Sequence, residues 1–156
     1  MIPVKVKEVV LDPMQTPLLL LVDTEETMVL PIGIGFWEAQ AIVLKLQGYV
    51  TPRPVTHDLF NSVCKHLGAS IEKVVVNDMI ESTFYAELYL RTAENKQIIV
   101  DARPSDAVAL ALTVGCPIYI SEKLSPYTVS ISDLMEQQDI GPIEFDGSGE
   151  SGPHLH

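Results

Sequence analysis

Hydrophobic residues fall along this chain with two periods, one of two and one near 3.6, and the switches between them mark its elements. Val4, Val6 and Val9 stand against Lys5, Lys7 and Glu8, which predicts an opening strand over residues 2–10 that Asp12-Pro13 ends. Leu18–Val22 and Met28–Ile32 are short apolar runs on either side of a polar turn, Asp23–Glu26, and read as an antiparallel hairpin. Gly33-Ile34-Gly35 then opens a helix from Phe36 to Gln47, with Ala39, Ile42, Val43 and Leu46 at helical spacing and Gly48 as its stop. Pro52 and Pro54 keep Tyr49–Val55 extended. Thr56 is a good N-cap for a second helix, which carries Leu59, Phe60, Val63, Cys64 and Leu67 on one apolar face before Gly68. Ile71–Ile80 is a valine-rich strand. After it Phe84, Ala86, Leu88 and Leu90 alternate with Tyr85, Glu87, Tyr89 and Arg91, the pattern of a sheet with one face buried.

Beyond a hairpin turn at Thr92–Lys96, the chain reads IIVDARPSDAVALAL from Ile98 to Leu112. Ile98, Ile99 and Val100 are β-branched and predict a buried strand. Pro104 suits a first helical turn, and Gly115 followed by Pro117 supplies the stop. Between them Ala107–Leu112 and Val114 are apolar on every side except at Thr113, so this helix is expected to be buried all round. Pro117–Ser121 predicts a short strand and Ser130–Gln138 a last helix. The order of elements predicts an α+β fold, a largely antiparallel sheet packed with helices around a central buried helix. Residues 1–140 form one domain in this reading, and 141–156 a flexible Gly/Ser-rich tail that includes His154 and His156. Val100, Val108, Leu110, Leu112, Leu88, Phe84, Ile42 and Leu46 are the expected core.

Composition narrows the class. Hydrophobic residues make up 47% and charged residues 20%, ordinary for a soluble globular protein. No apolar run is long enough to span a bilayer and no secretory leader is recognisable, so a cytoplasmic protein with no membrane partner is expected. Cys64 and Cys116 have neither metal spacing nor the pattern of a disulfide framework and read as free thiols. The formal net charge is −11, from 10 basic and 21 acidic residues, which disfavours tight binding to nucleic acid unless metal ions or local arginines offset it.

Two groups of residues carry candidate chemistry. Arg53, His57 and Asp58 lie just before and within the first turn of the second helix. Asp101, Arg103, Ser105 and Asp106 lie in the strand-to-helix turn. Phosphodiester hydrolysis commonly uses carboxylates to hold divalent metal and a base to handle water. Asp101 and Asp106 are therefore candidate ligands for Mg²⁺ or Mn²⁺ and candidate catalytic acids, together with His57 and Asp58. Arg53, Arg103 and Ser105 are candidate substrate-binding groups. A plainer reading stays open, in which Arg103 pairs with Asp101 or Asp106 to pin the turn while Ser105, Asp106 and Asp58 serve helix ends. Gly33-x-Gly35 lacks the further residues of a phosphate loop, and Glu94-Asn95-Lys96 falls in a hairpin turn.

The run Asp101-Ala-Arg-Pro-Ser-Asp-Ala107, its Ala/Leu helix and Pro117-Ile-Tyr resemble the signature of the bifunctional nuclease family, also called BFN or DUF151. Leu30-Pro-Ile-Gly-Ile-Gly35 with Glu38-Ala39 and Ile42 resembles a further family block. So do Arg53-Pro54 with Thr56-His57-Asp58, and Phe84-Tyr85-Ala86 with Leu88. Together these cover roughly residues 1–138. The resemblance implies an α+β domain that self-associates and a nuclease activity on DNA and RNA attributed to some members. Some members also carry a C-terminal helical hairpin of the excision-repair kind, where this chain has its Gly/Ser stretch. Two classes of function follow, a metal-assisted nuclease and a non-enzymatic oligomeric module that binds a protein partner or small ligand. The aromatic pair Phe36-Trp37 near an expected exposed helix start and the mean hydropathy of +0.22 add to the expectation of a homo-oligomer.

Overall fold

The computed structural model describes residues 1–136 and 141–142. Its strands are β1 (Ile2–Leu11), β2 (Pro17–Asp23), β3 (Met28–Gly33), β4 (Ser70–Ile80), β5 (Thr83–Arg91), β6 (Gln97–Ala102), β7 (Ile118–Ile120), β8 (Val129–Ser130) and β9 (Gly141–Pro142). The helices are α1 (Phe36–Leu46), α2 (Thr56–His66), α3 (Pro104–Val114) and α4 (Ile131–Glu136), with a 3-10 turn over Glu122–Tyr127. No helix among the described residues is long and apolar enough to cross a membrane.

Eight strands form one mixed, mostly antiparallel sheet in the order β6-β5-β4-β7-β1-β2-β3-β8, and β9 pairs with β1. Local hairpins account for most of it. The turns at Asp12–Gln15, Asp23–Glu26 and Thr92–Asn95 share one device: the first side chain accepts backbone N–H groups, and the fourth residue takes positive φ, at Gln15, Glu26 and Asn95. β7 is the piece that joins the two halves. It pairs parallel to β4 (Val74↔Ile118) and antiparallel to β1 (Val4↔Ile118), so the chain leaves β6, crosses over β5 and β4 through α3 and re-enters the sheet on the far side of β4.

One face of the sheet carries α1, α2 and α3. Its core joins Val9, Leu19, Leu21, Leu30 and Ile32 to Ile42 and Val43 of α1, Val74, Val76, Leu88 and Leu90 of the sheet, and Ala107–Ala111 of α3. A second cluster on the other face sets Val10, Leu20, Val22 and Val29 against Val129, Ile131 and Leu134. α3 packs over β4 and β5 and against α1 and α2, whereas the β1–β2 side is covered by α1. The structure therefore does not present one helix at the centre of the whole sheet.

Of the expected core, Val108, Leu110, Leu88 and Ile42 are buried, and Phe84 and Leu112 are partly buried against it. Leu46 and Val100 are exposed. Leu46 ends α1, and Val100 lies on β6, which is the edge of the sheet rather than an interior strand. The apolar face of α2 is likewise largely uncovered: of its expected members only Cys64 is buried, while Leu59, Phe60, Val63 and Leu67 face solvent. Gly141–Pro142 pairs with Val10 and Leu11; the remainder of the expected tail, 143–156, and residues 137–138 of the expected last helix lie outside the described residues.

Candidate active-site cleft

Three helix ends meet over the sheet. α3 starts at Pro104, whose missing N–H is not needed there, and it is held at its other end by Gly115 in a left-handed conformation, φ +77°. Its first turn brings Arg103 and Asp106 beside the start of α2. That start differs from the expectation: Thr56 is the first helical residue and Val55 the cap. Val55 has no acceptor side chain, and the carboxylate of Asp58 takes over, accepting the Val55 backbone N–H at 3.2 Å. Asp58 also accepts from Lys45 near the end of α1, which ties the two helices together. The Lys45 hydrogen bond is the largest of the influences that hold the Asp58 carboxyl below its ordinary range.

Between these ends opens a cleft of about 770 Å³, walled by Trp37, Ala41, Leu44 and Lys45 of α1, by Tyr49–Pro52, and by Pro54–Asp58 with Arg103 and Asp106. A chain of polar contacts runs along one wall. His57 Nε2 lies 3.0 Å from Asp106 Oδ1. Arg103 donates from Nε to Asp106 Oδ2 at 2.8 Å and from Nη1 to Glu38 Oε1 at 2.9 Å. A carboxylate only accepts, so Nε2 of His57 is the donor, and in the neutral form of the ring Nδ1 keeps the lone pair. Burial pushes the Asp106 carboxyl up, but the hydrogen bonds from Arg103 and His57 outweigh it and hold it below the usual carboxylate value. The Asp106 hydrogen bond, in turn, is the main influence that raises Arg103. Gly35 makes room for Glu38: a Cβ there would stand 2.2 Å from Glu38 Oε2, so the carboxylate folds back over the start of α1 and reaches Arg103.

His57, Asp58, Arg103 and Asp106 are thus brought together at the cleft. Arg53 is exposed on the segment between Pro52 and Pro54, which line the cleft, but does not itself line it. Ser105 is buried in the first turn of α3 and does not line it either. Asp101 is elsewhere. It pairs with Glu87 on β5, out of phase with the core residues Ala86 and Leu88, and so sits on the sheet face opposite the helices. Asp101 and Asp106 therefore do not fit a shared metal ion, and both oxygens of Asp106 are already engaged. Among the described residues no group of three or more His, Cys, Asp or Glu side chains is placed to hold one. Sequence reasoning missed Glu38 and Lys45 as members of the site. The available signals were an acid in the first turn of α1 and a lysine in its last.

A protein-family model described as the bifunctional nuclease domain matches residues 19–130. An uncharacterised protein of Mycobacterium tuberculosis is 47% identical over 110 residues, 70% of this chain and 65% of that protein. Bifunctional nuclease 1 of Oryza sativa is 24% identical over 63% of this chain and 30% of its own length. Bifunctional nuclease 2 of Arabidopsis thaliana is 25% identical over 74% of this chain and 34% of its own. The matched region thus spans about a third of each plant protein. With the family model covering most of its length, and with the strand-to-helix turn and both walls of the cleft inside that span, the chain belongs to the bifunctional nuclease domain family.

Proposed function

We propose that this chain hydrolyses phosphodiester bonds of DNA or RNA in the cleft between α1 and the start of α2, with His57 moving the proton and Asp106 positioning it. The observation that carries this reading is the 3.0 Å contact between His57 Nε2 and Asp106 Oδ1 on the cleft wall. With Nε2 committed to the carboxylate, Nδ1 is available to take a proton from a water attacking phosphorus. Asp106 then offsets the positive charge that the imidazole gains. As the new P–O bond forms, the bond to the leaving sugar oxygen breaks, and the proton passes from Nδ1 to that oxygen. Arg103 is turned by Asp106 and Glu38, and its Nη2, used in neither bond, is the group offered to a phosphate oxygen. No step in this reading runs through Mg²⁺ or Mn²⁺, because Asp101 stands on the other face of the sheet.

One observation favours the second reading, a non-enzymatic oligomeric module that binds a protein partner or small ligand. The cations lining the cleft, Lys45 and Arg103, are matched against Glu38, Asp58 and Asp106, so the cleft has no cationic excess for a polyanion. The deciding experiment incubates the purified chain with a labelled single-stranded oligonucleotide, in chelator and with added Mg²⁺ or Mn²⁺. Cleavage that survives chelator and is lost in His57→Gln is expected. Cleavage that needs metal and ignores His57 would place the chemistry on other groups, and no cleavage under any condition would leave the binding module.

A further inference from the structure

The polar contacts of the cleft use one part of its lining. On its cleft side α1 carries two neighbouring rows of side chains. Glu38 and Lys45 form one row, engaged with Arg103 and Asp58. Trp37, Ala41 and Leu44, at i, i+4 and i+7, form the other, and it is apolar. Gly48, at φ +70°, turns the chain after the helix so that the Tyr49 N–H donates back to the Leu44 carbonyl at 3.0 Å, and Tyr49 and Val50 continue the apolar wall. Trp37 is 70% exposed, Tyr49 44% and Val50 87%. Large apolar side chains left open together in a concave site mark a place where an apolar group docks. Gln40, three positions on from Trp37, also lines the cleft and carries an amide that can both donate and accept.

We propose that this wall is a nucleobase subsite, in which an unstacked base lies against the indole of Trp37 while the phosphate beside it meets Nη2 of Arg103. The inference rests on the reading of the cleft as a phosphodiester site and names a group by which that site recognises its strand. Trp37 and Glu38 are consecutive, and Glu38 holds Arg103, so the base platform and the phosphate donor are placed by the same turn of α1. A nucleotide divides as the cleft does, into a charged phosphate and a flat, neutral ring with polar edges, for which Gln40 supplies a partner. The charge balance points the same way. With Lys45 and Arg103 matched against Glu38, Asp58 and Asp106, phosphates alone find little hold, and stacking on an aromatic face supplies affinity that charge does not. A proline-rich peptide would also suit exposed aromatic side chains, but it brings no anion to Arg103. A base inside a duplex has both faces covered by its neighbours, so the subsite takes single-stranded or frayed segments.

Trp37 is the single tryptophan of the chain, so its fluorescence reports on this subsite alone. The His57→Gln chain, which on the proposed mechanism binds without cutting, is titrated with a single-stranded hexanucleotide, with the same sequence as a duplex, and with an abasic hexamer that keeps every phosphate. Quenching by the single strand, and little by the duplex or the abasic strand, is expected. In the same background, anisotropy of a labelled single strand should show Trp37→Ala binding about 5- to 150-fold more weakly, with most of the loss recovered in Trp37→Phe. Because Trp37 is exposed, neither change should move the melting temperature. Equal binding of the abasic and the normal strand, or full affinity in Trp37→Ala, overturns the subsite even in a chain that cleaves. Quenching by the single strand with loss of affinity in Trp37→Ala, in a chain whose wild type cuts nothing, upholds the subsite and removes the hydrolysis. Quenching by a decaproline peptide and none by the oligonucleotide overturns the proposal and gives the wall to a protein partner.

Discussion

Replacing Asp106 by Asn keeps the shape of the side chain and removes the charge on which the cleft wall converges. Asp106 accepts from His57 at 3.0 Å and from Arg103 at 2.8 Å, and its side chain is 34% exposed. Hydrogen bonds to charged groups are worth about 1.5–3 kcal/mol when sequestered, whereas solvent-exposed ion pairs fall to about 0–1 kcal/mol. At this intermediate exposure, and with an Asn oxygen still able to accept, the expected loss at pH 7 is about 1–2 kcal/mol. In a chain of this length that lowers Tm by roughly 2–8 °C. The pH dependence is the sharper test. Burial raises the Asp106 carboxyl, but the bonds from Arg103 and His57 outweigh it, so its folded value lies below its unfolded one. The contribution is then fully present above the unfolded carboxylate value of about 4 and is lost as pH falls toward the folded value. Thermal melts of wild type and Asp106→Asn at several pH values from 7 down to 3 should show a constant gap that narrows below about pH 4. Equal stability at pH 7, or a gap that widens in acid, would refute the reasoning.

Asp58→Ala removes both the acceptor for the Val55 N–H and the partner of Lys45, and should cost about 1–2 kcal/mol in urea denaturation. Ile42→Ala empties a fully buried site between α1 and the sheet and should cost about 2–5 kcal/mol, whereas Leu46→Ala, at the exposed end of the same helix, should stay under about 1 kcal/mol by the same measurement. Gly115→Ala forces a side chain into φ +77° at the end of α3 and should destabilise by about 1–2 kcal/mol in thermal unfolding, with far-UV circular dichroism unchanged.

Strands and helices were legible because periodicity is a local property: alternation over Phe84–Leu90 and helical spacing over Ala39–Leu46 state which side chains share a face. The turns were legible for the same reason, since Asp12, Asp23, Thr92, Gly48 and Gly115 act on their own neighbours. What covers a face is not local. Ile98-Ile99-Val100 has the composition of a buried strand and lies at the sheet edge, because the chain inserts β7 between β4 and β1 instead of beside β6. α2 presents a proper apolar stripe, but the helix lies at the margin and the stripe stays open. The same divide runs through the site. Asp101 and Asp106 are five positions apart in sequence, and strand alternation followed by the turn into α3 sends them to opposite faces of the sheet. His57 and Asp106 are 49 positions apart and meet because α2 packs against α3 with the first turns of the two helices adjacent. The sequence by itself thus determined the elements and the kinds of side chain available for chemistry. Only the tertiary structure decided which of them share a cleft, because strand order and helix placement are set by long-range packing that no local pattern encodes.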